Sequence, residues 1–245
     1  MSSSLLFYQN IVPLDRTQHK RWSLKPINDA AFTKQAHAVL LLGTEFVEAA
    51  REYPIVFVRN ADVVTPVALL GLREGENLFV DAAGQWQGRY VPGYIRRYPF
   101  VFAETADKQL LLSLDDGYAG LDKSGKTGQR LFDDQGQDAE LLKNMLAFVQ
   151  AFQTDFVRTT ELCAELEKLG LFKDMTIQAT LNNGASYSMN GFYVVDEQAL
   201  LNLAEADVAR LFKRGMLGAV YAHLMSLGNV QQLVNRLSTT GSAAA

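Results

Sequence analysis

Seven side chains between positions 86 and 98 have the chemistry to grip a ligand: Trp86, Arg89, Tyr90, Tyr94, Arg96, Arg97 and Tyr98. Arginine offers a planar fork that meets a carboxylate or phosphate at two points and stacks on aromatic rings. Tyrosine adds a rigid amphipathic surface with a polar tip. The mixture suits recognition of a peptide, a protein or a small anionic ligand. Trp86, Tyr90, Tyr94, Arg96, Arg97 and Tyr98 are therefore the expected ligand-binding set. The competing reading is structural, with the arginines tying a loop to acidic neighbours such as Asp81, Glu104, Asp115 and Asp116.

A repeat helps to separate the two adjacent arginines. The string YPIVFVRNAD starts at Tyr53 and YPFVFAETAD at Tyr98, so the offset is 98 − 53 = 45. Arg51 and Arg96 hold the same place before Tyr-Pro, which points to a shared structural role. Arg97 matches Glu52 instead, which leaves Arg97 as the better candidate for a ligand.

Two other chemistries need weighing. GLDKSGKT, from Gly120 to Thr127, satisfies the phosphate-loop pattern literally. In a true phosphate loop, Gly120 and Gly125 would free the backbone to cradle phosphates, beside Lys126 and Thr127. That motif should follow a buried parallel strand and open a helix. Here GYA interrupts upstream and the glycine-containing GQRLFDDQG follows, so a basic solvated loop with Lys123, Lys126 and Arg130 is the competing reading. A nucleotide-binding enzyme using this loop stays open as an alternative function. The histidines are His19, His37 and His223, with no tight H-x-x-x-H spacing and no cysteine cluster. His223 and Ser226 are three apart and share a helix face, but Ser226 lies in no G-x-S-x-G elbow. A polar or metal-assisted site built from His19, His223 and Ser226 is the second alternative. No metal and no cofactor are expected.

The chain that must position these residues has 245 residues, 48% hydrophobic and 20% charged, an ordinary globular composition. A net charge of −4 argues against nucleic acid as the main partner. The single cysteine, Cys163, excludes an internal disulfide and fits a reducing compartment. No apolar run approaches the ~20 residues that span a bilayer, and the start lacks a signal-peptide pattern. A cytoplasmic protein without membrane insertion is expected, and a homodimer is compatible with it.

Each repeat copy reads as strand, turn and strand, with proline at the strand entry. NLFVD reads as a further short strand, and YVPGYI as extended or looped because of Pro92 and Gly93. TEFVEAAREY reads as a helix with Thr44 as N-cap. The second half turns helical. Leu141, Met145, Phe148, Phe152 and Phe156 predict a helix from about Asp138 to Leu169, capped at Gly170. The Phe148, Phe152 and Phe156 stripe is expected in the core. NNGAS between two apolar runs predicts a hairpin. A helix from DEQALLNL follows, then two more helical stretches hinged near Gly228. The expected fold class is α+β: a β-rich N-terminal half with duplicated hairpins, packed against a helical C-terminal half. It is expected as one domain over 1–237 (β-rich 1–135, mainly helical 136–237), with a disordered tail over 238–245.

Six blocks of this sequence carry a family resemblance. They are Tyr8 with VPL (12–14) and His19, EFVEAAREYPIVF (45–57), GENLFVDAAGQW (75–86), YVPGYIRRYPFVF (90–102), LFDDQG (131–136) and YAHLMSLGNVQQL (221–233). Together they resemble the SapC family of bacterial proteins over about residues 5 to 235. The resemblance implies a chain of similar length and brings no catalytic motif. The family name comes from a surface-layer-associated locus, and an unrelated membrane permease of a peptide transporter shares it. The permease role does not transfer, because no run here can span a membrane. The expected function is thus a non-catalytic binding or accessory protein.

Overall fold

The computed structural model describes residues 5–104, 107–180, 184 and 186–242. In chain order its strands are β1 (Ile11–Pro13), β2 (Ser23–Leu24), β3 (Ala38–Leu40), β4 (Ile55–Asn60), β5 (Val63–Leu69), β6 (Phe100–Glu104), β7 (Leu110–Asp115), β8 (Leu121–Asp122), β9 (Gln129–Arg130), β10 (Phe172–Thr180) and β11 (Ser186–Val195). Its helices are α1 (Phe46–Ala49), α2 (Gly93–Arg96), α3 (Glu140–Lys168), α4 (Glu197–Leu201), α5 (Glu205–Lys213), α6 (Met216–Ser226) and α7 (Val230–Ser242). Sheets dominate the first half and helices the second, so the class is α+β. The chain divides into two compact units, Met1–Phe32 with Ile95–Thr154, and Thr33–Tyr94 with Asp155–Ala245. The division falls inside α2 and α3.

The first unit holds two small antiparallel sheets, β1-β7-β6 and β8-β2-β9. Leu24, Phe100, Leu114, Leu131, Phe132, Leu142 and Val149 form its main core. Leu142 and Val149 come from one face of α3; of the expected stripe, Leu141, Met145 and Phe148 pack against this core only partly buried, Phe152 is buried and Phe156 is half-buried. A second cluster joins Tyr8, Tyr98 and Val101. Asp115 lies at the end of β7 with no exposed surface, and its carboxylate accepts from the amides of Gln9, Asn10 and Gly117 and from the Tyr98 hydroxyl. The carboxylate thus fastens the segment before β1 to β7, and its burial is compensated by these donors.

The second unit is built on a five-stranded sheet, β10-β11-β4-β5-β3. Ile55, Val56 and Phe57 of β4 are buried on both faces, a continuous apolar run rather than an alternating one. Pro66 sits inside β5, yet breaks no ladder bond. Its carbonyl accepts from Leu41, just beyond the last β3 pair at Leu40, and its absent N–H faces the same way.

Both repeat copies are hairpins, β4–β5 and β6–β7, but they lie in different sheets and different units. The tip of the second copy, at 105–106, and most of NNGAS lie outside the described residues. β10 and β11 pair antiparallel as predicted. α3 starts and stops within two residues of its predicted ends. Gly170 adopts φ 65°, and the amides of Gly170 and Leu171 return to the carbonyls of Glu167 and Leu166, a left-handed helix stop that favours glycine.

Four local expectations change. The 44–53 helix is only one short turn, α1, preceded by a 3-10 turn whose amide at Leu42 is capped by Glu45 rather than by Thr44. NLFVD contributes only an isolated bridge, Val80 to Trp86, around a tight turn. Gly93 opens a helical turn despite following Pro92, because proline is tolerated at the edge of a first turn. The last helical region breaks at Gly215 (φ 70°) as well as near Gly228, so it makes three helices. α7 runs through 238–242, part of the expected tail.

Candidate functional site

The segment 86–98 is shared between the units. In the second unit, Glu45 is 7% exposed and each of its oxygens is engaged. Oε2 accepts from the Leu42 amide at 2.9 Å, and Oε1 accepts from the Tyr90 hydroxyl and the Gly93 amide, both at 2.6 Å. Glu52 accepts from the amides of Arg89 and Tyr90. The Tyr90 carbonyl accepts from Trp86 Nε1 and from the Tyr53 hydroxyl. Burial, together with the Glu52 carboxylate, drives the Tyr53 phenol far above its ordinary pKa. Trp86 stacks on Phe79, and Arg236 lies over the Phe79 ring at 4.1 Å while bonding the Leu78 and Gln87 carbonyls. Tyr94 is buried.

In the first unit, Arg97 is 7% exposed, with its guanidinium carbon 4.6 Å from the Phe152 ring centre and 5.9 Å from that of Tyr8. Arg96 is exposed and lies over Phe148 at 5.1 Å. Tyr98 is buried between Tyr8 and Phe32 and donates to Asp115 at 3.1 Å. Burial, then Asp115, raises its pKa. The polar groups of Trp86, Tyr90 and Tyr98 are therefore engaged in hydrogen bonds, and the guanidinium groups of Arg96 and Arg97 lie over aromatic rings.

The GLDKSGKT string connects β8 to β9, and no helix follows it. Its third residue settles its geometry. Asp122 Oδ1 accepts from the Ser124 amide and hydroxyl, and Oδ2 from the amides of Lys126 and Thr127 and the Thr127 hydroxyl. These donors hold the carboxyl far below its usual pKa. An internal carboxylate thus occupies the amides that a phosphate would need. The Thr127 hydroxyl is likewise committed to Asp122.

His19 and His223 are engaged as well. His19, in the first unit, accepts from the Asp15 amide through Nδ1 and stacks on Trp22, and burial lowers its pKa. His223, in the second unit, has no exposed surface. Its Nε2 accepts from the Val195 amide at 3.0 Å, so the proton sits on Nδ1, which donates to the Ile55 carbonyl at 2.8 Å. Burial takes its pKa down to about 4. Ser226 does not meet the imidazole; its hydroxyl accepts from the Ile55 amide and donates to the His223 carbonyl. Asn229, three residues on, donates to the carbonyls of Ala50 and Tyr53. His223, Ser226 and Asn229 form a ladder at a spacing of three that completes the backbone bonding of residues 50–55. Among the described residues no group of three or more histidine, cysteine, aspartate or glutamate side chains is placed to hold a metal, and no helix is long and apolar enough to cross a membrane.

What sequence reasoning missed is a groove of about 350 Å³ in the second unit. One wall is Gly43, Thr44 and Val47, before and within α1. The second is Arg158, Thr159 and Leu162 on α3. The third is the α5–α6 corner, Arg214 to Ala219. The walls are tied together: the Gly43 amide donates to Thr159 Oγ1, and the Thr44 hydroxyl to Asp155. A Cβ at Gly43 would already touch Leu162 and Thr159. Val47 is 59% exposed at the rim, and the same unit leaves Val157, Phe212, Tyr221 and Met225 exposed on its helices. Arg158 pairs with Asp155, and Arg214 with Glu161 and Glu165, all at 3.3 Å and all partly in solvent. The Arg158–Asp155 pair is of the exposed kind worth only about 0–1 kcal/mol, so Arg158 can exchange its partner for a ligand carboxylate, whereas Arg214 is also held by Glu165, whose side chain is 13% exposed and bonds Arg210 as well.

Neither the curated proteins nor the solved structures yield a match to this chain. The family model of SapC matches residues 14–233, nearly the whole chain and every block that carried the resemblance from position 14 on, and the chain belongs to the SapC family.

Proposed function

We propose that this SapC-family chain is a non-catalytic binding protein that accepts a peptide segment of a partner protein in the groove of the second unit. The single observation that carries this reading is the groove itself: an apolar channel with Val47 exposed at its edge and two arginines, Arg158 and Arg214, on its rim. Its chemistry fits a segment that sets a bulky apolar side chain beside a carboxylate. The apolar group would cover Val47, Leu162 and Met216, and the carboxylate would reach Arg158 or Arg214. The Tyr/Arg segment of 86–98 then serves to hold each unit in shape, since its hydroxyls and its buried arginine are turned inward. The same inward engagement of His223, Ser226 and Asp122 supports a binding role over catalysis or nucleotide hydrolysis.

The test is selection of displayed random peptides on the full-length protein. The expected winners pair an aromatic or large aliphatic residue with an acidic residue or a C-terminal carboxylate. Val47→Asp should weaken the selected peptide at least about tenfold, by loss of apolar contact and by repulsion, without altering the melting temperature. Absence of any selected motif, or equal binding by Val47→Asp, would overturn the reading.

A further inference from the structure

We propose that the first unit carries a separate anion site, a basic cleft at Lys20, Arg21 and Arg130 that takes the phosphate group of a small molecule. The cleft has a volume of about 440 Å³, within the range of small-molecule pockets. It is lined by three cations and one carboxylate, Asp134, in a chain whose net charge is −4. The carboxylate does little to neutralise the cations. Asp134 has an 89% exposed side chain and stands 3.6 Å from Arg130, an arrangement of small energetic worth. Lys20 and Arg21 are exposed and form no ion pair among the described residues.

Arg130 is the cation of the cleft that the fold holds in place. β9 and a bond from Nη2 to the Lys20 carbonyl at 3.2 Å fix its position. Its Nε is buried and has no hydrogen-bond partner among the described residues. That atom has almost no accessible surface, so a ligand in the cleft meets this arginine through the rest of its side chain, which is 38% exposed. The opposite wall is rigid. Gly125 adopts φ 71°, and a Cβ there would lie 2.2 Å from the Arg21 carbonyl oxygen, so only glycine lets this turn close against the Arg21 backbone. Ser124 and Gly125 shape the wall without feeding the ligand, because the Ser124 hydroxyl and amide are spent on Asp122. The site therefore uses no phosphate-loop amides and does not need Lys126. Guanidinium groups meet phosphate oxygens at two points, and phosphate offers more acceptor oxygens than a single carboxylate, so phosphate is the favoured class.

The probe is inorganic pyrophosphate, titrated calorimetrically into the full-length protein at low ionic strength, with glucose 6-phosphate, ATP and citrate as parallel arms. Uptake near one equivalent is expected, weakening as salt rises. Lys20→Gln and Arg21→Gln should each weaken it about tenfold, as loss of one charged hydrogen bond implies, with the ligand-free melting temperature unchanged. Lys126→Ala and Val47→Asp should bind as the wild type does, which separates this site from the groove. ATP and glucose 6-phosphate binding no more weakly than pyrophosphate would support recognition of the phosphate group alone. No uptake, uptake insensitive to Lys20→Gln and Arg21→Gln, loss on Lys126→Ala, or citrate binding more tightly than every phosphate probe would each overturn the proposal.

Discussion

Lowering the pH from 7 to 5 should destabilise this protein chiefly through His223. The imidazole is buried and neutral, with Nε2 accepting from Val195 and Nδ1 donating to Ile55, so a second ring proton has no acceptor. The Phe57 ring packs against it at 4.9 Å, and no acidic side chain contributes to its shift. Its pKa falls from 6.5 when unfolded to about 4 in the fold. The unfolded chain therefore binds more protons between these values, and stability must rise with pH across that window. Stability is complete above 6.5 and is lost as the pH drops toward 4. At about 1.4 kcal/mol per pH unit the whole contribution is about 3 kcal/mol, of which about 2 kcal/mol disappears between pH 7 and pH 5. Urea unfolding at a series of pH values measures this directly. His223→Gln should lower stability at pH 7 but flatten the slope between 7 and 5. His19 slopes the same way because burial also lowers its pKa, so His19→Gln is the matched control and should leave most of the slope. A flat wild-type profile, or an unchanged slope in His223→Gln, would refute the reasoning.

Two further outcomes follow from the same packing. Arg97→Ala removes a buried side chain stacked on Phe152 and should cost roughly 2 kcal/mol or more in denaturant unfolding; an unchanged midpoint would instead make this arginine dispensable to the fold. Cys163 is 2% exposed and burial pushes its thiol up to about 12, so it should resist alkylation at pH 8 until the protein is unfolded, with rapid native labelling as the contrary result.

The parts of this fold that the sequence made legible are those governed by local periodicity. Leu141 to Phe156 repeat at helical spacing and Gly170 ends the run, so α3 could be bounded in advance. The runs after Tyr53 and Tyr98 are β-branched and aromatic, so both hairpins could be placed. Their sheets could not, because β4 pairs with β11 and β7 with β1, contacts separated by more than ninety residues. Gly215 was missed as a break because good helix formers flank it on both sides. The Tyr/Arg segment was visible as chemistry but not as burial: its anchors, Glu45 and Glu52, lie about forty residues upstream, and the acidic neighbours considered did not include them. Asp122 was legible in principle, since an aspartate two residues before Ser124 is an Asx-turn signal inside the phosphate-loop string. The spacing of three in His223, Ser226 and Asn229 was a comparable signal for a structural ladder. The groove was not legible, because its walls come from residues 43–47, 158–162 and 214–219, which only tertiary packing brings together.

The most direct test of the account is a photo-activated cross-linker placed at position 47 in living cells, with the same group at exposed Leu110 of the first unit as control. The account predicts one discrete adduct from position 47, absent from position 110, with the cross-linked partner segment mapping to a bulky apolar residue beside a carboxylate. No adduct, the same adducts from both positions, or a captured segment without that pairing would contradict it.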